Sequence, residues 1–279
     1  MYKTITCKNC GHVLTGKYCS RCGEKIFSEQ DKSLSNLLQE SFHFVTHFDG
    51  TFFHTLKTFF SQPGKMSSDY CFGIRKKYFK PISFFLMLVI LYLLSPRFQG
   101  LNMKMETYSK KYYNFTWLSL PVINAKMKRH SVSYMELAQK YNDKSTKIAK
   151  GGLLLLIPLS AIVLMAFYFK RGKPFFDHII IATEINSFYI FSHFLFFPFI
   201  AFIVSKIAPA YNYIFADDSS LWLVVIGIFA LFILLALKNF YKEKWWLTII
   251  KALLFLIIFS VGIKYVYGTL IFLLVMLFV

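Results

Sequence analysis

Cys7-Lys8-Asn9-Cys10-Gly11 and Cys19-Ser20-Arg21-Cys22-Gly23 repeat one unit, C-x-x-C-G, near the start of the chain, with eight residues between the pairs. Four thiolates at this spacing can close tetrahedrally on one metal ion, and Zn²⁺ is the ion that such a set suits. The glycine after each pair suits a tight turn with positive φ, where backbone N–H groups can point at the sulfurs. Two disulfides or four free thiols are the alternatives. Repetition of both the spacing and the glycine favours the metal. A thiolate site needs reducing conditions, which points the N-terminus toward a cytoplasm.

Beyond these knuckles the composition changes. The chain has 279 residues, of which 56% are hydrophobic and 33 are Phe, and its mean hydropathy is +0.49. Multispan membrane proteins have this make-up; soluble domains rarely do. The first residues lead into the knuckles rather than into an apolar signal segment, so the first span is expected to act as an uncleaved anchor. Net charge is +18. The cations lie largely outside the apolar runs. That fits contact with anionic lipid head groups and topology setting better than nucleic-acid binding, for which no motif is present.

Residues 1–27 read as a zinc ribbon too small to have a core, so the metal supplies most of its folding energy. Residues 28–80 read as an amphipathic and juxtamembrane helical region. Within 33–61, Leu34, Leu37, Leu38, Val45, Phe48, Phe52, Leu56 and Phe59 fall on one broad face at helical spacing. His43, His47 and His54 fall on the opposite face. That face is either polar surface in water or a second metal or pH-sensing site; no carboxylate joins the histidines at ligand spacing. Asp49-Gly50 is a candidate break and Pro63-Gly64 a turn. Arg75-Lys76-Lys77-Tyr78-Phe79-Lys80-Pro81 reads as a basic, aromatic membrane edge, with Pro81 in the first turn of a span.

The first transmembrane helix is expected over 81–95, short for a hydrocarbon core. A long extracytoplasmic loop follows over 96–150, with short interfacial helices near 134–141. Residues 151–279 are expected to form a bundle of about five transmembrane helices, near 151–169, 175–204, 221–237, 245–263 and 265–279. The fold class is thus an all-α polytopic membrane protein of about six spans with a small N-terminal zinc ribbon. Lys170, Arg171 and Lys173 mark one short turn, and Lys238, Lys242 and Lys244 another. The alternate turn holds Lys206 with Asp217-Asp218. This alternation places both termini in the cytoplasm. The basic 96–150 segment breaks the rule, tolerably for its length.

The segment 175–204 is the only span dense in polar groups: Asp177, His178, Glu184, Asn186 and His193. Ionisable groups in a membrane are costly and mark function by default. Asp177 and Glu184 share one face, Asn186 and His193 the opposite one, so this helix should sit centrally. A polar pocket or proton relay around Glu184 competes with structural pairing, for which Lys251 and Lys264 are candidate partners. There is no phosphate-binding loop, no H-E-x-x-H, no G-x-S-x-G and no G-x-G-x-x-G. Nothing reads as an enzyme. Cys71, the fifth cysteine, reads as an inert buried thiol, or as a candidate for lipid modification at the membrane edge.

The knuckles with Glu24-Lys25, then Phe48-Asp49-Gly50, Thr55-Leu56-Lys57, Pro63-Gly64 and Gly73 through Pro81, resemble a bacterial family of unknown function: multispan inner-membrane proteins headed by a CxxC…CxxC zinc ribbon. The similarity is clearest over 7–95 and returns at 176–188. There Asp177-His178 match the family's acidic-His pair, while Glu184 and Asn186 stand where it carries two further histidines. The resemblance implies a location and an architecture, not a reaction. The expected function is an adaptor: the ribbon binds an unidentified protein partner, and the bundle anchors it in the bacterial inner membrane. The alternative is a transporter or channel using the polar residues of the third span.

Overall fold

The computed structural model describes residues 5–14, 16–26, 50–94, 104–109, 116–207 and 218–279. The protein is mostly helical. Strands β1 (Ile5–Thr6) and β2 (Val13–Leu14) pair antiparallel, Ile5 opposite Leu14, and the bridge Tyr18–Lys25 forms a second, shorter ladder. Each ladder closes around one cysteine knuckle.

Helices α1 (Gly50–Ser61) and α2 (Lys65–Phe72) form a hairpin joined at Pro63-Gly64. Helix α3 (Pro81–Leu94) follows, with proline at its first position, where the missing N–H costs nothing. Then come α4 (Met105–Ser109), α5 (Thr116–His130) and α6 (Tyr134–Gly152). A tight turn, Leu153–Leu155, carries α6 straight into α7 (Leu156–Tyr168). Helix α8 (Phe175–Ile190) widens into a π turn over Phe191–Phe196 and continues as α9 (Phe197–Ile207). Helices α10 (Asp218–Tyr241) and α11 (Trp245–Val261) follow. A second π turn, Gly262–Tyr267, leads into α12 (Gly268–Phe278).

Among the described residues, four continuous helical segments are long and apolar enough to cross a membrane: Leu153–Arg171, Phe175–Val204, Leu223–Tyr241 and Trp245–Phe278. Pro81–Leu94 is apolar but shorter. Two sequence expectations change here. The separate segments 245–263 and 265–279 are one helix of 34 residues. The expected boundary between them falls inside the π turn Gly262–Tyr267, which carries the helix on without interrupting the backbone ladder. At about 1.5 Å per residue this helix runs about 51 Å, well beyond a hydrocarbon core of about 30 Å. Its far end packs beside α6: Tyr267 donates to the Ala149 carbonyl, and Tyr108 of α4 donates to that of Gly268. The segment 96–150 is accordingly no simple loop. Its helices α5 and α6 have 15 and 19 residues, and α6 prolongs the span that follows it.

Helix α8 is the axis. Every residue from Phe176 to Ile190 is buried, and α7, α3, α10 and the hairpin all pack on it. The hairpin enters this packing from one end. Near its base Phe52 meets Phe79 at 5.8 Å, and toward its tip Phe60 meets Phe191 at 5.0 Å. Phe191 lies about 24 Å along the helix from Phe175, at the α-helical rise. Phe59, Pro63, Gly64, Met66 and Ser67 are buried against the long helices, with Phe59 against Phe84, Phe188 and Phe232, while Phe60, Ser61, Gln62 and Lys65 are exposed.

Candidate metal centre

The four sulfurs of Cys7, Cys10, Cys19 and Cys22 lie within 4.8 Å of one another. Cys7 and Cys22 are 3.6 Å apart, as are Cys10 and Cys19. Metal–sulfur bonds of about 2.3 Å in a tetrahedron set sulfurs about 3.8 Å apart, whereas a disulfide needs about 2.05 Å. All five cysteines are free thiols. The donor set fits one tetrahedral metal ion.

The two knuckles are built alike. Gly11 N–H donates to the Cys7 carbonyl (2.9 Å), and Gly23 N–H to that of Cys19 (2.7 Å). Cys7 N–H reaches the His12 carbonyl and Cys19 N–H the Glu24 carbonyl, both at 2.8 Å. The glycines close these turns at φ +74° and +69°, which a Cβ would strain. Hydrogen bonds from the backbone N–H of Cys22, then that of Arg21, bring the Cys19 thiol down to about 6, despite some burial. For Cys10 the His12 N–H pulls downward, but desolvation and the three neighbouring thiols carry it to about 12. Four thiols this close cannot all ionise unaided, and a divalent cation removes that conflict.

The knuckles rest on the hairpin. Glu24 is 6% exposed, and its Oε2 accepts the N–H groups of Lys76 (2.9 Å) and Arg75 (3.2 Å). Lys8 Nζ donates to the Phe72 carbonyl (2.8 Å) and stands 4.5 Å over the Phe72 ring. Sequence reasoning missed Glu24. Its partners are backbone amides, which no residue type at 75 or 76 announces.

At the other end of α2 a second carboxylate does similar work. Glu184 of α8 is fully buried. Its Oε1 accepts the Gly64 N–H (2.6 Å), and its Oε2 accepts the Ser67 N–H (3.1 Å) and the Ser67 hydroxyl. Glu184 thus caps the start of α2, whose own cap position, Gly64, has no side chain to offer. Gly64 holds φ +81°, and a Cβ there would run into the Ala236 backbone of α10. Asn239 seals the tip by donating to the Pro63 carbonyl (2.7 Å). The expected pairing of Glu184 with Lys251 or Lys264 does not form. Lys251 binds Glu243 (2.8 Å), which also holds Arg171 (3.2 Å), and Lys264 is exposed.

The remaining polar groups of α8 have other partners. Asp177 meets Lys173 at 3.6 Å, and His178 Nδ1 lies 2.6 Å from the Tyr241 hydroxyl. Asn186 donates to Ser160 of α7 (3.0 Å) and to the Ala182 carbonyl (2.8 Å), and His193 meets Ser192 (2.9 Å). Asp177 and His178 share the neighbourhood of Tyr241, whereas Asn186 and His193 have partners of their own. Two large cavities beside α8 and α9, about 630 and 540 Å³, are walled by side chains such as Phe60, Phe191, Phe196 and Phe199. Of the three histidines placed on one helix face, His43 and His47 lie outside the described residues. His54 is half-buried, its ring 5.4 Å from that of Tyr78 rather than in open water. Burial, then Lys77 and Lys57, lower its pKa. Among the described residues the four-cysteine group is the only set of three or more potential ligands close enough to share an ion. Cys71 is buried, and desolvation pushes its thiol up.

A family described as "Protein of unknown function (DUF3667)" matches residues 49–93. Those residues are the hairpin and α3; the cysteine cluster lies outside the match. No curated protein and no solved structure matches the chain.

Proposed function

We propose that the chain is a membrane-anchored adaptor of a bacterial inner membrane, whose zinc-loaded ribbon presents a cytoplasmic docking surface to a protein partner. The observation that carries this reading is the tetrathiol cluster, seated on the end of the hairpin by Glu24. Four sulfurs in a tetrahedral array suit Zn²⁺, since softness and geometry together select it. The ribbon leaves Tyr18 62% and Val13 47% exposed, beside the exposed Lys17 and Arg21. Aromatic and arginine side chains of this kind anchor interfaces, and the charge suits an acidic rim on the partner.

The apolar helices supply the anchor. Arg171, Lys173, Lys238 and Lys244 gather at the ribbon end of the bundle, the side that the positive-inside rule gives to the cytoplasm and to anionic head groups. With 245–278 as one crossing, the chain crosses five times, and its C-terminus emerges opposite the ribbon. The hairpin is then a re-entrant element, tolerable in a membrane because its backbone groups are met by protein. The scatter of polar groups along α8, each engaged in packing, favours anchoring over transport.

The test is a photo-crosslinking residue at position 18, combined with metal analysis of the purified chain. The expected result is about one zinc per chain and a discrete cross-linked partner, both lost in Cys19→Ser while the spans stay inserted. Zinc without a cross-link would remove the docking role. Absence of zinc would remove the reading altogether.

A further inference from the structure

We infer that the metal state of the ribbon controls the exit end of the hairpin, with Glu24 as the latch. This rests on the metal reading above and adds what the metal does to the rest of the chain.

Each knuckle contributes one side chain that grips the last turn of α2 or the residues just after it. Lys8, between the first pair of cysteines, holds the Phe72 carbonyl. Glu24, two residues after Cys22, holds the Arg75 and Lys76 N–H groups. The position of Glu24 belongs to the knuckle itself, because its carbonyl accepts the Cys19 N–H. The ribbon has little else to keep it folded: its named strands have two residues each. Without a metal such a module loses its order, and both contacts go with it.

The opposite end of α2 is held without the ribbon. Glu184, Ala236 and Asn239 fix residues 63–67 from within the bundle. Helix α2 therefore lies between a metal-dependent hold and a metal-independent one. Metal loss loosens the segment from Cys71 to Lys77, which keeps the Tyr78–Asp69 hydrogen bond and the Arg75 contacts with the Tyr70 and Phe176 rings, and leaves the tip in place. The loosened segment includes the cluster Arg75-Lys76-Lys77, which changes what the membrane edge offers to lipid or protein. Cys71, in the last turn of α2 and 8% exposed, is a built-in reporter.

The experiment uses the full chain in detergent or nanodiscs, with zinc or after chelation. A small maleimide labels thiols, and each cysteine is read separately by peptide mass spectrometry. The expected result is labelling of Cys71 about tenfold faster after stripping, because local opening governs access to a buried group. Zinc should reverse it. Glu24→Ala should show the fast rate with zinc still bound, and Glu24→Gln, which keeps one acceptor oxygen, should fall between. By reciprocity Glu24→Ala should weaken zinc binding by the same factor that it loosens the hairpin. If stripping exposes Cys19 while Cys71 labels at an unchanged rate, the latch is overturned and the metal reading stands. A protein that takes up no zinc, with ribbon cysteines reactive throughout, would overturn both.

Discussion

Helix α2 is held at its start by Glu184 and just past its end by Glu24, and the two holds rest on different supports. Glu184 reaches the start of α2 inside the bundle, where no water can replace it. Glu24 reaches the turn after α2 from a small module at the edge of the fold. Both accept backbone N–H groups. The lesson is that the same bond carries a different role according to what stands behind it. Behind Glu184 lies a fully buried helix; behind Glu24 lie two-residue strands and the four-cysteine cluster. One hold is architecture; the other, on the inference above, is conditional on the metal.

The largest break in this comparison should come from Glu184→Ala. It leaves the buried Gly64 and Ser67 N–H groups without their acceptor, which should cost about 3–5 kcal/mol, read as a large fall in detergent melting temperature or in folded yield. Gly64→Ala attacks the same end through the backbone. The positive φ and the Ala236 contact should together cost about 2–4 kcal/mol, and Ser67 amide exchange should rise. Glu24→Ala should be milder, about 1–2 kcal/mol, and confined to faster exchange over 73–77. Lys8→Ala, losing an exposed cation–ring contact and one hydrogen bond, should cost under about 1 kcal/mol.

Acidity sharpens the same contrast. The Cys19 thiol is held down to about 6, so its ionised form favours the folded ribbon. That contribution is complete above the ordinary thiol value of 9.0 and is lost as pH falls through about 6. Zinc uptake by stripped protein should decline across that window, while the melting of the bundle changes little. A titration of metal uptake against pH, beside a thermal melt, checks it.

Much of this was legible in the residues. The cysteine spacing encodes the cluster directly, because ligand geometry constrains local sequence. The apolar runs encode the long helices, and Pro63-Gly64 encodes a turn. What the chain does with that turn was not legible. Insertion of the hairpin depends on Glu184 meeting amides 117 and 120 positions away, and amides carry no signature in side-chain type. For the same reason Lys251 looked like the natural partner of Glu184: charge suggests charge, whereas a helix start satisfies a carboxylate equally well. The joined helix 245–278 was hidden because its 34 residues exceed one membrane crossing, so the apolar run was divided in two, whereas a π turn keeps it continuous.

The central claim is that the four cysteines hold one metal ion on which the ribbon and its latch depend. Elemental analysis of full-length protein, purified in mild detergent without added metal, tests it most directly when run beside Cys10→Ser. The account predicts about one zinc per wild-type chain, none in the variant, and an inserted bundle in both. A metal-free wild type whose cysteines are paired as disulfides would contradict it.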